Sequence, residues 1–276
     1  MSRESINLLA SSSKKINGCI RVPGDKSISH RAIIISSIAE GKTQINQYLD
    51  SADTNATIDV CRQINAEIVK NNESLIITGN NLERIQKDNI ELNFGNSGTS
   101  MRLMMGVLSA QIFSSILSGD ESLSQRPMSR VSKPLTNMNA DIKTSNGTPP
   151  IFITPVDDIK NVDHKIHIAS AQIKSAIMLA GLYGRDPFTI ITPKSRDHTE
   201  IMLNQFGCDI TIESDYINVI PSKLTSPETI DVPGDISSAA FFIVGSILSR
   251  DSQVKIENVG LNPLRTGFID ILKMMG

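Results

Sequence analysis

The sequence predicts an α/β protein assembled from repeats of one β-α-β-α-β-β unit, and three observations carry that expectation. Four segments share one pattern: a small or polar opening, an apolar run of helix length, then a β-rich stretch. Their openings at Gly24, Gly95, Ala169 and Gly234 lie roughly 65 to 75 residues apart, longer than the roughly 20 to 50 residues of solenoid repeats. The first and last are introduced by the same four residues, Val-Pro-Gly-Asp at 22–25 and at 232–235.

The first unit opens with GDKSISHRAIIISSIAEGKTQI, and DTNATIDVCRQINAEI supplies its second helix. The stretch EIVKNNESLIITG then gives two short strands joined by a polar turn of the kind that suits a hairpin. In the second unit GNSGTSMRLMMGVLSAQIFSSIL is followed by SRVSKPLTNMNADI. The third repeats the order with ASAQIKSAIMLAGLYGRDPFTII, RDHTEIMLNQFGCDI and the strand pair in DITIESDYINVIP. In these three units the second helix is expected to close on a small residue, Ala66, Ala140 or Gly207. The fourth unit has GDISSAAFFIVGSILSRDSQVKI and NPLRTGFIDILKMMG, and the sequence ends at Gly276 without its two strands. A helix with Ile269, Leu272 and Met275 on one face needs a sheet to cover it, so the expectation is a chain truncated within its fourth unit.

Composition sets outer limits. At 276 residues and 39% hydrophobic, the chain can bury one large core or two smaller ones. Its 27 basic and 29 acidic residues argue against a nucleic-acid coat or a polybasic membrane anchor. Trp is absent and aromatics are 4%, too few for base-stacking platforms. Cys19, Cys61 and Cys208 are odd in number and far apart, as expected of reduced thiols. No apolar run reaches the roughly 20 residues of a membrane span, and MSRESINLLASSSKK lacks the layout of a signal peptide. A cytoplasmic location is the expectation.

The helix openings hold the candidate chemistry. Unpaired backbone N–H groups and a partial positive charge make a helix amino end ready for an anion. Lys26 and Arg31 flank Ser27 in the first opening, and a cation against the helix dipole is tolerable where a bound anion offsets it. GNSGTSMR at 95–102 puts Gly98 where backbone can approach a small ligand, with Arg102 as a supporting cation. It is not a Walker loop, because no GKS or GKT follows. Arg126 precedes Pro127 in a loop leading to a helix, and its planar fork suits carboxylate and phosphate. Ser170, Gln172 and Lys174 lie at the third opening, and Ser195 and Arg196 stand just before another helix. His198, between Asp197 and Glu200, reads as part of an ordinary helix start with a capping residue rather than as a general base. Asp163, His164 and His167 do not predict a metal site, since a three-residue spacing in a strand points the two imidazoles to opposite faces.

The segments VPGDKSISHRA, GNSGTSMR, the Arg126-Pro127 loop, SAQIKSA, SRDHTE and the second VPGD resemble, in order, the signatures of the 5-enolpyruvylshikimate-3-phosphate synthase family of enolpyruvyl transferases. The resemblance runs from about Lys15 to the end and fits the subgroup with Ala171 and Arg196. It implies inside-out βα barrel-type domains of three units each, with helices packed inside. Residues 24–233 would form one complete domain on the shikimate 3-phosphate side. Residues 1–23 and 234–276 would begin a second of the same type. By motif, Lys26 would contact both substrates and count as catalytic. Ser27, Arg31, Ser170, Ala171, Gln172 and Arg196 would hold shikimate 3-phosphate, with Ser170 and Arg196 nearest its phosphate. Gly98 and Arg126, beside Lys26, would hold phosphoenolpyruvate. Gly98 matches the family position where a larger residue excludes the herbicide glyphosate.

The implied reaction transfers the enolpyruvyl group of phosphoenolpyruvate to the 5-hydroxyl of shikimate 3-phosphate, in aromatic amino acid biosynthesis, with no metal or organic cofactor. The implied partners are these two small molecules, with no nucleic acid and no membrane, in a protein that is a monomer when full length. The family draws its Asp base, an acidic Glu and further Arg and Lys groups from its final third, so this chain alone is expected to bind weakly at most and to turn over nothing. One rival is a non-catalytic substrate-binding fragment or pseudoenzyme. Another is the sister transferase acting on UDP-N-acetylglucosamine, which would carry Lys-Asn where Lys26-Ser27 stands and a loop Cys with no counterpart near Arg126.

Overall fold

The computed structural model of the chain describes residues 9, 11 and 15–276, except 86 and 88. The first element is β1 (Asn17–Arg21), and the expectation about the first fourteen residues lies, Leu9 and Ser11 apart, outside the described ones. The first unit continues with α1 (Lys26–Ile38), β2 (Lys42–Asn46), α2 (Ala52–Gln63), β3 (Glu67–Asn71) and β4 (Ser74–Thr78). The second comprises β5 (Ile90–Asn93), α3 (Gly98–Leu108), β6 (Ser115–Ser118), a short α4 (Glu121–Ser124), α5 (Ser129–Asn137), β7 (Asp141–Ser145) and β8 (Thr148–Thr154). The third comprises β9 (His164–Lys165), α6 (Ala171–Gly181), β10 (Phe188–Ile191), α7 (His198–Gln205), β11 (Asp209–Glu213) and β12 (Tyr216–Ile220). A fourth stretch has β13 (Thr229–Asp231), α8 (Ile236–Leu248), β14 (Gln253–Glu257) and α9 (Gly267–Met274).

The β-α-β-α-β-β order is therefore present three times, with α4 as an addition between β6 and α5. Gly207 closes α7 as expected, whereas two of the three closing residues differ from expectation. Asn65, Asn139 and Gly207 take the left-handed conformation after α2, α5 and α7, at φ 70°, 73° and 88°. Ala66 and Ala140 lie one residue beyond that position. Left-handed backbone is open to Asn and Gly and disfavoured for Ala, because a Cβ there crowds the following carbonyl.

Helices lie inside and sheets outside. Every residue of α1 from Ser29 to Ile38 is buried. In α3 only Thr99 and Arg102 escape burial, and in α6 only Gln172. Helices buried on every side belong in a core, and these three share a single one that runs from Ala32 to Val232. α3 and α6 approach so closely that a Cβ on Gly106 would overlap the Ala176 carbonyl oxygen. Three four-stranded sheets wall the core, ordered β13-β2-β4-β3, β5-β6-β8-β7 and β9-β10-β12-β11. In each the first-named pair, or β9 with β10, is parallel and the hairpin pairs are antiparallel.

The sheets also show an exchange that no local pattern announces. The first unit's sheet takes its parallel strand from β13, whereas β1 pairs in parallel with β14. The two Val-Pro-Gly-Asp segments cross where this exchange occurs. Asp25 N donates to Pro233 O and Asp235 N to Pro23 O, both at 2.8 Å. Each aspartate caps the next helix, Asp25 through Ile28 N and Asp235 through Ser237 N. Arg265 ties the two caps together, donating from Nη1 to Asp25 Oδ2 at 2.7 Å and from Nη2 to Asp235 Oδ1 at 3.3 Å.

The fourth stretch packs differently. A small separate cluster of Val22, Ile236 and Ala239 holds it together. α8 has the sequence of an inner helix, yet Phe241 and Leu248 are 81% and 80% exposed. In α9, Ile269 and Leu272 are half-buried, whereas Met275, just past its end, is exposed.

Candidate active site

The helix amino ends share one end of the molecule, and side-chain contacts fix this. Lys26 pairs with Asp53, and one turn later His30 Nδ1 meets Thr57 Oγ1 at 2.7 Å, so α1 and α2 run parallel. Arg196 Nη1 donates to Ser27 Oγ at 2.9 Å and Arg31 Nε to Thr199 Oγ1 at 2.6 Å, so α7 runs with α1. Arg102 Nη1 donates to Gln172 Oε1 at 3.0 Å, and Gly106 touches Ala176 four residues on in both helices. α3 and α6 are therefore parallel as well. Arg31 Nη2, bonded to Ser175 Oγ at 3.0 Å, sets α1 in register with α6. Five helices thus bring their partly positive ends to one face.

Local sequence explains why these ends form there. Asp25, Ser51, Ser97 and Ser170 each accept a backbone N–H of the first turn of α1, α2, α3 and α6. Such capping supplies partners for otherwise orphaned donors and fixes where each helix starts. α7 departs from the expected cap. Asp197 makes no cap bond; its Oδ1 accepts from Asn262 Nδ2 at 2.6 Å, because the fourth stretch reaches over this loop. His198 is the first residue of α7, buried, with Nδ1 unpartnered, and burial lowers its pKa.

The sequence-selected residues fall into two neighbouring groups. Around α1 lie Lys26, exposed at the first helical position, Ser27, and Arg196 from the loop before α7. Around α3 lie Gly98, Arg102 and Arg126. A Cβ on Gly98 would come 3.0 Å from Arg126 Nη1 and 3.3 Å from Arg102 Nη1. Arg126 is held by Asn96, whose backbone O accepts from Nη1 at 3.2 Å and whose side-chain Oδ1 accepts from Nη2. Gln172 joins α6 to this group, donating from Nε2 to Thr99 Oγ1 at 3.1 Å while accepting from Arg102. Ser170 is the half-exposed cap of α6, and Ala171 beside it is buried. Arg31 differs from an open ligand-binding guanidinium. It is 3% exposed and engaged with Thr199, Ser175 and the Ser27 carbonyl. His164 is buried and His167 exposed, so the two face apart.

The electrostatics favour an anion. Burial and then the Arg196 charge lower the Arg31 pKa to about 10. Arg102 is lowered by burial and then by the charges of Arg126 and Arg130, with no carboxylate among the causes. Cations that crowd one another at converging helix ends leave an unbalanced positive field. A planar guanidinium there can bind two oxygens of a phosphate or carboxylate at once. Asp53 was not singled out by sequence, nor was the pairing of Lys174 with Glu200. An acidic residue in a first helical turn reads as a dipole complement, and only the packing of α2 on α1 shows that Asp53 faces Lys26.

Parallel inner helices, sheets outside and cationic helix ends on one face define the enolpyruvyl transferase class of fold. The chain belongs to the EPSP synthase (3-phosphoshikimate 1-carboxyvinyltransferase) family, whose model matches residues 10–276. It is 47% identical over 271 residues to a 3-phosphoshikimate 1-carboxyvinyltransferase of Hydrogenovibrio crunogenus, covering 95% of this chain and 60% of that one. A relative of the same name from Petrotoga mobilis is 48% identical over 269 residues, covering 95% and 62%. The solved EPSP synthase of Acinetobacter baumannii superposes with a TM-score of 0.88 at 44% identity, over 96% of this chain and 60% of that chain. The chain thus spans about 60% of the length of the curated relatives it matches.

Proposed function

We propose that this chain forms the phosphate-binding portion of a 3-phosphoshikimate 1-carboxyvinyltransferase. The observation that carries the reading is the convergence of parallel helix amino ends bearing Lys26, Arg196, Arg102 and Arg126. In this reading Ser27, Ser170, Ala171, Gln172 and Arg196 receive shikimate 3-phosphate, with Arg31 acting from beneath by holding the Ser27 carbonyl. Gly98 and Arg126 receive phosphoenolpyruvate, and Lys26 lies between the two substrates. Residues 24–233 act as one domain, and residues 1–23 with 234–276 belong to a second. We place the protein in the cytoplasm as a monomer, with no partner beyond its two substrates.

The chemistry fits this face. The substrate 5-hydroxyl loses its proton as its oxygen bonds to C2 of phosphoenolpyruvate, and C3 gains a proton, giving a tetrahedral intermediate. Loss of phosphate from C2 and of a proton from C3 then leaves the enolpyruvyl ether. Atoms and electrons balance without a redox cofactor. Cations fixed against the phosphates and the carboxylate stabilise the charge that collects on the departing group. Titration calorimetry of this chain with shikimate 3-phosphate is expected to give saturable binding, and unphosphorylated shikimate to give none. Equal heats from the two would defeat the reading. For the reaction itself, the protein carrying this sequence should release phosphate from phosphoenolpyruvate only when shikimate 3-phosphate is present.

A further inference from the structure

Lys174 and Glu200 form an ion pair with both residues 2% exposed, between the first turns of α6 and α7. Nothing in the chemistry above uses them. Burying two charges costs several kcal/mol per ion, and a well-packed apolar pair of similar volume is often as stable or more so. Lys174 is doubly disfavoured, because it sits near the positive amino end of α6. A pair retained against both costs calls for a role other than stability.

Its geometry supplies one. Lys174 Nζ pairs with Glu200 and also donates to the Ser195 carbonyl at 3.3 Å. The next residue is Arg196, whose Nη1 reaches Ser27 Oγ. Four residues before Lys174 on the same helix stands Ser170, the cap of α6. One buried ammonium therefore ties together α6, α7 and the loop that carries Arg196. The loop has few other anchors: Pro193 has no N–H, and the buried Ser195 hydroxyl has no partner.

We propose that Lys174, held by Glu200, is a positioning residue that sets the distance between Ser170 and Arg196 and so shapes the phosphate subsite from behind. The inference rests on the functional reading for its ligand, though the loop geometry can be measured without one. A guanidinium displaced by about 1 Å can cost a site as much as a hundredfold in function, although the displaced group remains present.

The test is the double variant K174M/E200L, in which an apolar pair of similar volume replaces the ions, beside K174Q/E200Q, whose amide can still donate to the Ser195 carbonyl. Hydrogen exchange is followed in the peptide covering 192–199, and shikimate 3-phosphate affinity by calorimetry. K174M/E200L is expected to exchange about tenfold faster in that peptide and to bind about tenfold more weakly or worse. K174Q/E200Q should recover part of both, while melting temperatures fail to follow the same order. Should K174M/E200L not fold, the amide pair against the natural chain makes the same comparison. Unchanged loop exchange and affinity within twofold in K174M/E200L, or in the amide pair where that variant does not fold, would overturn the proposal, as would affinities that simply track melting temperature. If the natural chain gives no saturable binding, the functional reading fails, and loop exchange alone decides the positioning role.

Discussion

Arg196 Nη1 donates to Ser27 Oγ at 2.9 Å, joining the loop before α7 to the first turn of α1 across 169 residues of sequence. Arg196 is exposed and makes no ion pair among the described residues. Arg196→Ala is therefore expected to leave stability within about 0.5 kcal/mol, as exposed positions usually do. Shikimate 3-phosphate binding should fall to the level seen with unphosphorylated shikimate. Calorimetry and a thermal melt on the same sample decide it, and a collapsed fold would make Arg196 structural.

Lys26 pairs with Asp53 while its side chain is 46% exposed. A pair so open to solvent contributes at most about 1 kcal/mol. Lys26→Met should melt within a few degrees of the natural chain and yet abolish shikimate 3-phosphate binding. Retained affinity would remove Lys26 from the site.

Gly98 faces two guanidiniums, and a methyl group there would sit 3.0 Å from Arg126 Nη1. The arginine has to give way, since its other contacts come from Asn96 and Ser122 in the same region. Gly98→Ala should weaken phosphoenolpyruvate and glyphosate while shikimate 3-phosphate affinity stays within about threefold. Competition titrations with each ligand separate these outcomes.

Gly106 is different in kind. Its absent Cβ admits the Ala176 backbone, which cannot swing aside as a side chain does. Gly106→Ala is expected to push α3 from α6 and cost on the order of 1–3 kcal/mol, as overpacking of a close-packed core does. A lowered urea midpoint with unchanged slope would show it.

His30 is wholly buried, and burial, with the nearby Lys26 charge, lowers its pKa from 6.5 to about 3. Between those values the unfolded chain takes up a proton that folded His30 does not. Stability therefore declines as pH falls from about 6.5 towards 3, by up to about 1.4 kcal/mol per pH unit from this group. His30→Gln should flatten that acid limb. Unfolding free energies at pH 4, 5 and 7 measure the difference.

Much of this fold was legible because its repeats are local. Apolar runs of helix length and hairpin strands follow from neighbouring residues, and the openings at Lys26, Gly98 and Ser170 announce themselves as helix starts. The inner position of α1, α3 and α6 follows from the continuous apolar runs 32–35, 103–108 and 176–180, which reach round more than one face. What stayed hidden depends on distant pairs. The meeting of Lys174 with Glu200, of Asp53 with Lys26, and of Arg265 with both caps arises only once helices pack. Arg31 shows the same limit from the other side. Its position placed it at the opening, and its bonds to Ser175 and Thr199 arise only once α6 and α7 pack against α1. Asp197 looked like a cap because its sequence context fits one, and Asn262 from the fourth stretch claims it instead.

The exchange of β1 and β13 sets an order of assembly. As the nascent chain emerges, β2 can gain its parallel neighbour only after residue 231 has been made, although β2, β3 and β4 are complete by residue 78. Until then one edge of that sheet offers unpaired N–H and C=O groups to any strand that passes. Contacts this remote slow folding, since a long loop must close before they form. The two crossing segments thus make the earliest-synthesised sheet among the last to be finished.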